Sequence, residues 1–168
     1  VNHYMAFTLD SVTVMNDLVG GVTLEVLDDF TGIAGGENLI KGETVKLTPE
    51  EALLYVQGRS GLDDPTNVER MERQKQFLDA MRLELEKRIE TDNEFLANAV
   101  IKMADHMESD CSATRLEEIG NRMKSYKFVE VKDIEGEAKV GKENKLEFYP
   151  EESALKKLVI DLFYVPKK

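Results

Sequence analysis

The chain has 168 residues, 42% of them hydrophobic, which suits one domain spanning residues 1–168 with a sizeable core. Acids outnumber bases 33 to 22, for a formal net charge of −11, and this argues against a nucleic-acid partner because gripping a phosphate backbone needs a basic face. No apolar run reaches the ~20 residues of a membrane helix, and no signal peptide is visible.

The opening "VNHYMAFTL" has no initiator Met and reads as a strand from its first residues, so the chain is expected to be a piece of a longer protein. Met5, Phe7 and Leu9 alternate with Tyr4, Ala6 and Thr8, which is strand periodicity. Asp10 and Ser11 can cap a short helix, "SVTVMNDLV", which stops at Gly20-Gly21 because glycine accepts the left-handed conformation. "VTLEVL" follows as a strand, completing the strand–helix–strand unit of parallel or mixed sheets. Residues 28–46 are rich in Gly and acid and read as a long loop. Thr48 and Glu51 form a capping box around Pro49 at the head of "LTPEEALLYVQG". Asp63, Asp64 and Pro65 make a turn, and Thr66 with Glu69 opens a long helix. Its apolar stripe is Met71, Leu78, Met81 and Leu85, with Arg70, Gln74 and Phe77 along the first turns. Thr91 and Asp92 cap a helix over "NEFLANAVIKMADHM", and another runs from about Ala113 to Tyr126. "KFVEVKDI" and "NKLEFY" read as strands, Glu135 to Gly141 as a loop, and Pro150 opens a last helix ended by Pro166.

Little of this carries chemistry. Cys111 is the single cysteine, so it forms no internal disulfide and suggests no zinc cluster. His3 and His106 each stand alone in the sequence and read as surface or structural residues. Gly20-Gly21-Val22 matches neither phosphate-loop spacing and reads as a helix terminator. Asp28-Asp29 and Asp63-Asp64 could hold a hard cation, but paired loop acids are usually solvated. "GRSGLDDPTNVERMERQKQF" is the exception. Arg70 and Gln74 stand four apart on one helix face, with Arg73 aside and Arg59 just before the loop. An anion at this helix start would meet guanidinium forks and free N–H groups together. Ion pairing with Glu69, Glu72 or the Asp63-Asp64 loop is an equally open reading from spacing alone. An amide at Gln74 on the apolar stripe, which needs a partner if buried, leans slightly toward the anion.

"LTPEEALLYVQGR" followed by "DDPTNVERMERQKQF" resembles the LytR-CpsA-Psr family, whose pattern is Arg-x-Arg, a loop, then Asp-x-x-Arg-x-x-Arg-Gln. "YMAFTLDSVTVMNDLVGGVTLEV" is similar to the strand, helix, Asp-x-x-Gly-Gly-Val and strand just upstream, so the resemblance covers about residues 3–90 well. The tail "KFVEVKDIEGEAKVGKENKLEFYPEESALKKLVIDLFY" looks like that of clostridial-type members. The resemblance implies an α/β fold, a mixed sheet flanked by helices as an αβα sandwich, with the N-terminal part missing. It implies an extracytoplasmic, membrane-anchored phosphotransferase. Such enzymes move glycopolymers, teichoic acid or capsule, from a polyprenyl-pyrophosphate carrier onto peptidoglycan, with the lipid tail in an apolar tunnel. Carried over, Arg59 matches the second Arg of Arg-x-Arg, Arg70 the Arg after Asp-x-x, and Gln74 the Gln; Arg73 supports them.

Two positions depart from the pattern: Gln57 stands for the first Arg, and Asn67 for the Asp. The resemblance also implies Mg2+, held by Asp residues of an N-terminal half that this chain lacks, so the piece alone is expected to be incomplete and inactive. The alternatives are a non-catalytic polyprenyl-phosphate binder, motivated by Gln57 and Asn67, and a transcriptional regulator, which the acidic charge disfavours.

Overall fold

The computed structural model describes residues 3–58, 67–123, 125–129, 132, 134–141 and 146–164. They gather into two compact units, one up to Lys127 and one from Phe128 onward. The α/β class read from the sequence holds.

In the first unit, β1 (Met5–Phe7) leads into α1 (Ser11–Val19). Gly20 ends the helix at φ 83°, with its N–H on the carbonyls of Asn16 and Asp17. An added Cβ there would also lie 2.5 Å from the Arg88 guanidinium. Then come β2 (Thr23–Glu25), β3 (Thr44–Lys46) and α2 (Pro49–Gln57). Thr48 caps α2 by accepting the Glu51 N–H, and the Glu51 carboxylate accepts the Thr48 N–H, so the expected capping box is present. The long α3 (Asn67–Thr91) precedes α4 (Phe95–Met103), a 3₁₀ turn, β4 (Met107–Ser109) and α5 (Ala113–Met123). The capping box expected at Thr66 falls outside the described residues.

Strand pairing departs from the expected mixed sheet. Among the described residues the sheets are three two-stranded antiparallel pairs, so the strands flanking α1 do not join each other. β1 pairs with β4, and β2 with β3. The segment read as a long loop after Leu27 folds back on itself instead. Val26 donates to the Glu43 carbonyl at 2.9 Å and Gly42 to the Val26 carbonyl at 2.8 Å, which sets β3 antiparallel beside β2. β4 lies where the helix "NEFLANAVIKMADHM" was expected to end.

The core is built by this folded-back segment. Val22, Val26, Phe30, Leu39, Leu47, Ala52 and Tyr55 are all essentially buried, and Phe77, Met81 and Phe95 close over them. The buried line of α3 is therefore Arg73, Phe77 and Met81, whereas Met71 and Leu78 are 59% and 61% exposed. Of the expected stripe, Phe77 and Met81 are buried and Leu85 packs against the core, while Met71 and Leu78 face outward because the helix buries Arg73, which apolar periodicity ignores.

The second unit consists of β5 (Gly136–Val140), β6 (Leu146–Pro150) and α6 (Glu152–Phe163). The strand lies in the stretch read as a loop, and the described part of "KFVEVKDI" forms none. β5 and β6 pair antiparallel from Gly136↔Pro150 to Val140↔Leu146. Gly136 is required there, since an added Cβ would come within 2.4 Å of the Tyr149 carbonyl. Pro150 ends β6, and Glu151 caps α6 through the Ala154 N–H.

Candidate functional site

The end of α2 and the start of α3 meet through side chains. A helix leaves its last carbonyls without intrahelical donors. A left-handed glycine usually satisfies them, but Gly58 sits at φ −51°, ψ 131°, outside that conformation. Instead α3 supplies the donors. Gln74 Nε2 donates to the Val56 carbonyl at 3.0 Å, Arg73 Nε to the Tyr55 carbonyl at 3.0 Å, and Arg73 Nη2 to the Gly58 carbonyl. A cation at a helix C-terminus is also favoured by the helix dipole.

Arg73 is 1% exposed and its Nη1 meets the Asp28 carboxylate. Its guanidinium lies 5.4 Å from the centroid of the Phe30 ring. Phe30 also lies so close to Gly58 that an added Cβ would come within 2.7 Å of its ring. A small residue between Gln57 and Arg59 thus follows from the packing.

The expected site residues separate into distinct roles. Gln57 and Arg70 are half-buried at this corner, on α2 and α3 respectively. Arg73, expected as a supporting anion ligand, is a buried structural cation instead, because Asp28 and two carbonyls occupy its donors. Asp28, expected to be solvated with Asp29, is 8% exposed and paired with Arg73. Asp29 does stay at the surface and closes a turn on Thr31. The Thr31 hydroxyl and N–H hold its carboxyl below the usual range. Gln74, whose amide needs a partner when buried, has one in the Val56 carbonyl. Asn67 begins α3, and Arg59, with Asp63 and Asp64, lies outside the described residues.

Three supporting residues escaped the sequence reading. The Tyr55 hydroxyl donates to Gln76 Oε1 at 2.6 Å and accepts the Leu27 N–H at 3.1 Å, while Gln76 Nε2 donates to the Glu25 carbonyl at 2.8 Å. Burial pushes the Tyr55 phenol up to about 12, with the Leu27 N–H and Arg73 opposing. Asn16, fully buried, donates to the Leu47 carbonyl and accepts the Val22 N–H, both at 2.9 Å. The available signal was polarity on an otherwise apolar helix face, which requires a partner.

An apolar cavity of about 220 Å³, whose lining includes no residue of the α2–α3 corner, is lined by Met15, Leu18, Leu85, Val100, Met103 and Leu116 among others. The arginine-bearing helix contributes Leu85, and the other five come from α1, α4 and α5. Among the described residues one group of three metal-competent side chains converges, His3, Asp110 and Cys111. Its nitrogen and sulfur donors do not fit magnesium, which takes oxygen. Asp28 at the corner already faces Arg73.

The LytR_cpsA_psr family model matches residues 1–161. Solved structures share the fold. Protein gbs0355 from Streptococcus agalactiae aligns over 100% of this chain and 59% of its own, with TM-score 0.76 and 16% identity. TagT from Bacillus subtilis, in the structure bound to LI-WTA, aligns over 96% and 59%, with TM-score 0.72 and 17% identity. TagV from B. subtilis aligns over 99% and 66%, with TM-score 0.67 and 24% identity. The chain thus spans less than two thirds of the length of each of these proteins. No curated protein sequence matches it.

Proposed function

The chain belongs to the LytR_cpsA_psr family, and from that premise we propose that it is the pyrophosphate-holding portion of a cell-wall glycopolymer transferase. The donor is a glycopolymer on a polyprenyl-pyrophosphate carrier, the acceptor is peptidoglycan, and the protein works outside the cytoplasm on a membrane anchor. No described helix of this chain is long and apolar enough to cross a membrane. A fold relative bound to LI-WTA favours a teichoic-acid donor.

The junction between α2 and α3 carries the reading. Arg73 and Gln74 hook the last α2 carbonyls, so the end of α2 and the start of α3 share one corner. Arg59 follows Gly58, whose carbonyl Arg73 holds. Arg59 and Arg70 bind the pyrophosphate as bidentate forks, and the second amide N–H of Gln74 adds a donor. Donors fixed before the reaction stabilise the charge that develops as the glycosyl phosphate leaves. The apolar cavity takes part of the carrier tail, each buried CH2 contributing about 0.8 kcal/mol. Magnesium has no ligand set among the described residues, and no step here depends on it.

Binding of a polyprenyl pyrophosphate by the full-length protein tests the site. A charge-assisted bond is worth about 1.5–3 kcal/mol, so Arg59→Ala and Arg70→Ala should each weaken binding by roughly 10- to 150-fold. Unchanged affinity and transfer in Arg59→Ala and Gln74→Ala would sink the assignment. A non-catalytic polyprenyl-phosphate binder is the second reading, favoured by Gln57 in place of an arginine and by the structural commitment of Arg73. Turnover of a carrier substrate by the full-length protein rules it out.

A further inference from the structure

We propose that the end of the β1–β4 ribbon is a zinc site, with His3, Asp110 and Cys111 as its three protein ligands. The inference is independent of the anion-binding corner and stands without it.

Register brings the three together. β1 and β4 pair antiparallel as Met5↔Ser109, Ala6↔Glu108 and Phe7↔Met107. Continuing that register past the last paired residues sets Tyr4 opposite Asp110 and His3 opposite Cys111. Residues 107 apart in sequence thereby become neighbours. Each of the three offers one donor atom, and these atoms all lie within 4.8 Å of one another. His3 Nδ1 is 3.2 Å from Asp110 Oδ2, and Cys111 Sγ is 3.8 Å from Asp110 Oδ1. Zinc bonds of ~2.0–2.3 Å at tetrahedral angles put neighbouring ligand atoms roughly 3.3–3.7 Å apart. His3 and Cys111 approach different oxygens of Asp110, at distances close to that range, and with all donor atoms within 4.8 Å of one another, side-chain rotations bring the three onto one ion.

The surroundings hold the ligands in place. Asp110 Oδ1 accepts the Tyr4 N–H at 3.0 Å, which orients the carboxylate and leaves Oδ2 toward His3. Ser109 Oγ donates to the Tyr4 carbonyl at 2.7 Å and accepts the Cys111 N–H at 3.1 Å, tying both strands to the same hydroxyl. Outer partners of this kind fix ligand orientation in metal sites. Donor chemistry selects the metal: thiolate, imidazole and carboxylate together suit zinc, while magnesium and calcium prefer oxygen alone. With three protein ligands and side chains of His3 and Asp110 47% and 37% exposed, the fourth position is open to water. The bland competitor is a surface His3–Asp110 ion pair with a cysteine beside it by chance.

The test is cobalt and zinc titration of the reduced chain, prepared without a histidine tag. Cobalt should bind one to one and give a thiolate-to-metal charge-transfer band with intense tetrahedral d–d absorption. Zinc should displace it while millimolar magnesium does not. Cys111→Ser should abolish the charge-transfer band, and Cys111→Ser and His3→Ala should each weaken zinc at least tenfold. Both positions lie at the exposed end of the ribbon, and far-UV circular dichroism checks that the variants fold. In parallel, zinc should raise the melting temperature of the unaltered chain and not of Cys111→Ser. Absence of the charge-transfer band, or equal zinc affinity in all three proteins, overturns the proposal; the latter result would mark diffuse binding to an acidic surface.

Discussion

Arg73 offers the sharpest test of the distinction between a structural and a ligand-binding arginine. Replacing it with methionine keeps much of the stem but removes every donor. Asp28 is left buried without its cation, and the Tyr55 and Gly58 carbonyls lose the donors at the end of α2. Breaking a buried pair from one side costs about 3–5 kcal/mol. Against a typical total of ~5–15 kcal/mol, that is a large share. Asp28→Asn should cost less, about 1–3 kcal/mol, because Arg73 keeps both carbonyls and its contact with Phe30. The asymmetry is the signature of an arginine that serves several backbone groups as well as one carboxylate. Urea unfolding followed by circular dichroism measures both variants. For a chain of this size the methionine variant should melt roughly 8–16 °C lower. The double variant should be less destabilised than the sum of the singles by about 0.5–3 kcal/mol. If Arg73→Met unfolds within ~0.5 kcal/mol of the unaltered protein, the size of change typical of surface sites, yet loses pyrophosphate binding, the structural reasoning is wrong and Arg73 is a ligand after all.

Other perturbations probe the frame around that corner. Asn16→Ala removes two buried hydrogen bonds to Leu47 and Val22 and should cost about 2–4 kcal/mol by chemical denaturation. Gly20→Ala forces a side chain into the left-handed region and against Arg88, so a loss of at least ~1–2 kcal/mol is expected in the same assay. Tyr55 gives a pH signature. Its phenol is raised from 10.0 to about 12 in the fold, so folding favours the neutral form. That contribution is complete below pH 10 and is lost as pH rises toward 12. Alkaline melting curves should show this slope, and Tyr55→Phe should flatten it while lowering stability at neutral pH by about 1–3 kcal/mol.

Local chemistry made part of the fold readable. The helix Ser11–Val19 and its glycine stop need only neighbouring residues, and so does the Thr48–Glu51 box around Pro49. In each case the donors and acceptors lie within a few positions of each other. The motif from Gln57 to Gln74 was likewise visible as residue types at fixed spacing. Its family membership followed from the sequence, and its geometry did not. The three-residue strands β3 and β4 carry too few side chains for a periodic signal, and their partners set them.

The tertiary structure decided which polar groups are buried. Whether an arginine is a ligand or a core residue depends on what faces it, and Asp28 lies 45 residues before Arg73. Apolar periodicity therefore placed Phe77, Met81 and Leu85 on the buried face of α3 but added Met71 and Leu78 and left out Arg73, because it has no way to score a charge that is paired in the interior. The same limit applied to His3 and Cys111, which look solitary in sequence and become neighbours through one antiparallel register. Sequence alone fixes short-range hydrogen bonding and the inventory of chemical groups. Long-range pairing determines which of those groups meet, and the energy of a buried charge or a metal site depends on that meeting.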